Sequence, residues 1–73
     1  MQVSYRIEME READGRFLAE VRELPGGMAY GETAEDALAR VQALALRVLA
    51  DRLEHGEGPH GPMSVSFETS AAA

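Results

Sequence analysis

His55 and His60, with Glu57 between them, are the group whose residue types best suit metal binding or general-base work, because imidazole ligates metals and titrates near neutral pH. Two imidazoles do not complete a site. The chain holds two histidines and no cysteine. His55 to Pro62 is rich in glycine and proline, so both rings read as solvated loop residues. A second group is acidic: Glu8, Glu10, Glu12, Asp14, Glu20 and Glu23 crowd one stretch, and paired carboxylates can serve acid–base or metal-assisted hydrolysis. Their spacing argues for another role, since Glu8, Glu10, Glu20 and Arg22 fall on alternate positions of two strands, as solvating Glu and Arg residues of a wet sheet face do. The serines at 4, 64, 66 and 70 have no paired base in a nucleophile motif. Gly26-Gly27 and Gly31 are not followed by the Lys-Ser/Thr pair of a phosphate loop. The chain is expected to be non-catalytic and to bind no metal and no cofactor.

The elements that position these residues follow from periodicity. Val3, Tyr5, Ile7 and Met9 alternate with Ser4, Arg6, Glu8 and Glu10, which predicts a strand with one buried and one wet face. Phe17, Ala19 and Val21 predict a second strand after a turn at Asp14-Gly15. A two-residue turn would set Met9 opposite Glu20 and divide the apolar residues between faces. A three-residue loop, Ala13-Asp14-Gly15, sets Met9 opposite Ala19 and Ile7 opposite Val21, and is the expectation. Leu24-Pro25-Gly26-Gly27 predicts a turn, and Met28 to Tyr30 a short third strand. Gly31-Glu32 leads to Thr33, an N-cap with Asp36 in the place of a shortened capping-box acid. One helix is predicted from Ala34 to Glu54, ended by Gly56. Its apolar residues cover roughly 200°, interrupted by Gln42 and Arg52, where a helix lying on one sheet needs about 100°. That excess points to a second partner surface, and Leu46, Leu49 and Leu53 are the candidate subunit contact. Met63, Val65 and Phe67 predict a fourth strand. The expected fold is α+β, in the order β-β-β-α-β, with one helix on one face of a mainly antiparallel sheet.

Length and composition narrow the function. Seventy-three residues allow one domain, taken as 1–73 with an ordered core of about 2–68 and a tail at 69–73. A core this small gains from staples, and without cysteine neither a disulfide nor a thiolate zinc site can supply one, so a homo-oligomer is expected. The net charge is −6, from thirteen acidic and seven basic residues, all seven of them arginine. Such a surface repels phosphate backbones, which disfavours direct nucleic-acid binding and favours a basic protein partner. No apolar run suits a signal peptide or a membrane span, so the cytoplasm is the expected compartment.

Three segments carry a family resemblance. Asp14-Gly15-Arg16-Phe17-Leu18-Ala19-Glu20-Val21, then Glu23-Leu24-Pro25-Gly26, then Gly31-Glu32-Thr33-Ala34-Glu35-Asp36-Ala37-Leu38 resemble, in order and spacing, the N-terminal domain of the HicB antitoxin family. Gly27 departs from the pattern, standing where that family usually has cysteine. The resemblance implies a partial ribonuclease-H-like fold without its catalytic carboxylates, assembled into dimers or tetramers. It also implies a partner, a small basic HicA-like ribonuclease toxin covered by the antitoxin. Many HicB proteins continue into a DNA-binding segment, and this sequence stops about where that would begin, so no direct contact with DNA is expected.

Overall fold

Alternation along the chain becomes a four-stranded sheet in the computed structural model, which describes residues 1–69. The strands are β1 (Gln2–Arg11), β2 (Phe17–Val21), β3 (Met28–Gly31) and β4 (Ser64–Thr69), with helix α1 (Ala34–Glu54) between β3 and β4. The sheet order is β3-β2-β1-β4. β1 pairs antiparallel with β2, and β2 with β3, while β4 runs parallel to β1. The fold is therefore α+β with a mixed sheet. β1 is staggered between its neighbours, since Ile7 to Arg11 face β2 and Gln2 to Ile7 face β4.

The hairpin has the register that its apolar pattern demands, with Ile7 opposite Val21 and Met9 opposite Ala19. Glu12 N–H donates to Arg16 O at 2.7 Å and Gly15 N–H donates to Glu12 O at 2.9 Å, closing a three-residue loop. Gly15 has φ +92°, a left-handed conformation that glycine adopts without a Cβ penalty. In the next turn Gly27 N–H donates to Leu24 O at 2.9 Å, with Pro25 second and Gly26 at φ +75° third, the arrangement of a type II turn. Leu24 itself is buried and joins the core, a role its place beside Pro-Gly did not announce. A Cβ on Gly27 would lie 2.9 Å from Leu24 Cβ and 3.0 Å from Leu24 O, so this turn as built has no room for the cysteine of the HicB pattern.

α1 has the predicted bounds, and its ends explain why. Thr33 Oγ1 accepts the Asp36 N–H at 3.0 Å, satisfying one of the free amides of the first turn. At the other end Glu57 N–H donates to Arg52 O at 2.7 Å and Gly56 N–H to Leu53 O at 3.2 Å, with Gly56 at φ +71°, the paired bonds of a Schellman cap. Close packing sets the helix's position on the sheet. Gly31 sits beneath its first turn, where a Cβ would fall 2.9 Å from Ala37 Cα and closer still to Ala37 N. Ala37, Val41, Ala45 and Leu49 descend onto Tyr5, Ile7, Ala19 and Val21 to make the core.

Two expectations are corrected. Leu49 is 5% exposed and is spent on the core, leaving Leu46 and Leu53 as the exposed members of the candidate subunit contact. Thr69 belongs to β4, opposite Ile7, and is not part of a tail. The rest of the expected tail, Ser70 to Ala73, and with it the serine at 70, lies outside the described residues.

Candidate protein-binding surface

One face of the sheet carries the helix, and among the described residues nothing covers the other, the bare face. Pairing places Gln2, Ser4, Arg6, Glu8 and Glu10 of β1 on the bare face beside Leu18 and Glu20 of β2, Met28 and Tyr30 of β3, and Ser64, Ser66 and Glu68 of β4. Its two ends differ. Around Ser66 it is neutral: Gln2 Nε2 donates to Ser66 Oγ at 2.9 Å, and the Ser4 and Ser66 hydroxyls lie 3.3 Å apart. Toward the hairpin it is acidic, and Glu8 stands directly opposite Glu20, a like-charge pairing that costs stability.

Arginines compensate in part. Arg22 Nη1 lies 3.3 Å from Glu8 Oε2, and Arg6 Nε lies 3.6 Å from Glu23 Oε2. Glu23 also accepts the Arg6 backbone N–H at 2.8 Å, just past the end of β2, where the Arg6 carbonyl takes the Arg22 N–H at 3.0 Å. This amide, more than the guanidinium, holds the Glu23 carboxyl below its ordinary range. Asp14 is lowered in the same way, by the Arg16 N–H at 3.0 Å and the Arg16 side chain at 2.8 Å. Among the described residues Glu10, Glu20 and Glu68 have no ion-pair partner. Beside them Met28 and Tyr30 are exposed, with the Arg16 guanidinium 4.3 Å above the Tyr30 ring. An uncovered face combining carboxylates with an apolar strip suits contact with a basic macromolecule.

The histidines do not converge on a site. His55 Nδ1 lies 2.7 Å from Asp51 O, at the end of α1, and His60 lies in the following loop. Among the described residues no three His, Cys, Asp or Glu side chains are grouped to hold a metal ion. His60 and Arg52 border an open cleft of about 450 Å³ between the start of β1, Leu24, Leu49 and the loop 57–60. Arg52, read in the sequence as an interruption of the apolar arc, is where α1 runs past the core and its inner face meets this cleft.

The excess of that arc is answered in part within the chain. Gly58 lies against Leu53, since a Cβ there would fall 2.9 Å from Leu53 Cδ2. Leu53 nevertheless remains 40% exposed, and Leu46 47%. Proximity of Glu8 to Glu20 and the capping of Arg6 by Glu23 escaped sequence reasoning; the hairpin register alone would have revealed the first. Among the described residues no helix is long and apolar enough to cross a membrane. Comparison of the chain with protein-family models, curated proteins and solved structures found no match.

Proposed function

We propose that this chain is a non-catalytic protein-binding domain of the HicB antitoxin type, which sequesters a small basic HicA-like ribonuclease. The observation that carries the reading is the bare sheet face, where carboxylates outnumber arginines and, among the described residues, Glu10, Glu20 and Glu68 have no ion-pair partner. A folded domain gains nothing by setting Glu8 against Glu20, and a cationic partner converts that cost into attraction. The turn and cap residues that carry the family resemblance support the same reading.

Co-expression with a small basic HicA-like ribonuclease tests it. The wild-type chain is expected to co-purify with the toxin and restore growth, and a Glu8→Lys, Glu20→Lys double variant to lose both effects while retaining its circular dichroism. A toxin neither bound nor neutralised by the wild type would refute the proposal.

A second reading is a homo-oligomeric structural or regulatory module without a toxin. Leu46 and Leu53, exposed on one flank of α1, favour it. If that flank is the subunit contact, Leu46→Glu dissociates the assembly in sedimentation velocity, and an unchanged assembly rejects it.

A further inference from the structure

The two edges of the sheet are protected unequally. β3 is four residues long, its Met28 N–H turns back to Gly26 O at 3.0 Å, and Gly31 ends it beneath the helix. Little ladder remains to be extended there. β4 is six residues long, lies at the opposite edge, and contains no proline, lysine or bulge of the kind that blunts an edge. Ser64 N–H donates to Met1 O at 2.8 Å, and Val3 stands opposite Val65, so the even-numbered peptides of β4 bond to β1. By alternation the N–H and C=O groups of Val65, Phe67 and Thr69 point away from the sheet, where no described strand receives them.

We propose that β4 is a self-pairing edge, joined antiparallel to β4 of a second copy about a two-fold axis through Ser66. This deepens the homo-oligomer reading and does not depend on the toxin. Charge selects the occupant. The carboxylates of the bare face concentrate at the hairpin, and the β4 side presents Gln2, Ser4, Ser64 and Ser66. The one charge on β4, Glu68, lies beside Arg6 of β1. A basic partner is drawn to the acidic end, and a chain of net charge −6 meets itself most easily at the neutral end, with the acidic ends held apart.

The register follows from the strand. Outward-pointing residues must bond to outward-pointing residues, so Val65 pairs with Phe67 of the second copy, and Phe67 with Val65. Both pairs lie on the helix side, beside the apolar residues of each core. Ser64 then opposes Glu68, Ser66 opposes its own copy in a non-hydrogen-bonded pair, and no like charges meet. A two-fold axis through Phe67 would instead set Val65 against the polar Thr69.

Placing Ser66 on the axis gives the proposal its test. Sedimentation velocity is expected to show a dimer for the wild type, a several-fold weaker dimer for Ser66→Lys and for Ser66→Glu alone, and recovery in an equimolar mixture of the two. The chain has no cysteine, so Ser66→Cys, a nearly isosteric change, is expected to give a disulfide-linked dimer on mild oxidation, because non-hydrogen-bonded antiparallel pairs lie at about 4.5 Å between Cα atoms, within disulfide range. Circular dichroism checks that each variant folds. A monomeric wild type at high micromolar concentration overturns the proposal together with the homo-oligomer reading. Lys and Glu variants that dimerise like wild type, or a Cys variant that does not cross-link, overturn the edge pairing alone. Dissociation by Leu46→Glu but not by Ser66→Lys would move the contact to the helix flank and likewise overturn it.

Discussion

Ile7 and Glu8 are neighbours in the chain, yet they belong to surfaces governed by opposite rules. Ile7 is fully buried on the helix face, opposite Val21 and within the core cluster. Glu8 lies on the bare face, opposite Glu20, in a pairing that opposes folding. On the first face each neighbour supports the others: Tyr5 stacks on Phe67 at 5.5 Å, Ala19 lies opposite Ala29, and Gly31 admits the helix. On the second face the interactions are exposed and screened, and the charges do not balance. The difference teaches that stability is concentrated on one side of a single sheet and unbalanced charge on the other. Because side chains alternate, one strand can answer to both demands without compromise.

The sharpest way to break this division is at Ile7. Ile7→Ala is expected to cost about 2–5 kcal/mol in chemical denaturation, by lost transfer energy and the cavity left behind. Total stability of small domains is often only about 5–15 kcal/mol, so the variant should lose a large fraction of it and melt well below the wild type. A loss below about 1 kcal/mol would mean that the helix face is not the seat of stability.

Elements whose determinants are local are legible in the sequence. The hairpin register follows from the requirement that Ile7, Met9, Ala19 and Val21 share a face, and the bounds of α1 follow from Thr33 and Gly56, which satisfy backbone groups within one turn of themselves. What was not legible depends on contacts remote in sequence. β4 joins the far side of β1 in parallel because the loop after α1 returns the chain there, and nothing in Val65 or Phe67 encodes that choice of neighbour. The place of Leu49 depends on where α1 crosses the sheet, which the close approach at Gly31 sets, so an apolar arc read on its own assigned it wrongly to the surface. The bare face was legible as polar. Its uneven charge was not, because Arg22 reaches Glu8 diagonally and leaves Glu20 alone.

A smaller effect of opposite sign is expected at Glu20. Glu20→Gln removes one of two opposed carboxylates and should leave stability unchanged or raise it by about 0.2–1 kcal/mol in low salt. The gain should shrink as salt is added, because wild-type repulsion is then screened. Thermal melts at two ionic strengths check this, and a loss of stability would mean that Glu20 supports the fold, erasing the contrast between the faces.

The smallest effect lies where the two regions meet, at Glu23. Its carboxylate accepts the Arg6 amide and pairs with the Arg6 guanidinium, so the fold favours the ionised form and the carboxyl lies below its ordinary value of 4.5. A lowered carboxyl contributes stability that is present above the unfolded-state value and is lost as pH falls through the folded-state value. Comparison of wild type with Glu23→Gln cancels the parallel contribution of Asp14, which is lowered by Arg16 in both proteins. The wild type should melt slightly higher at neutral pH, and the two curves should converge as the pH falls below about 4.5. Solvent screening at this exposed pair keeps the difference small. A difference that widened on acidification would show that the ionised carboxylate is not what holds the Arg6 amide, and that this end of the pairing is held by other groups.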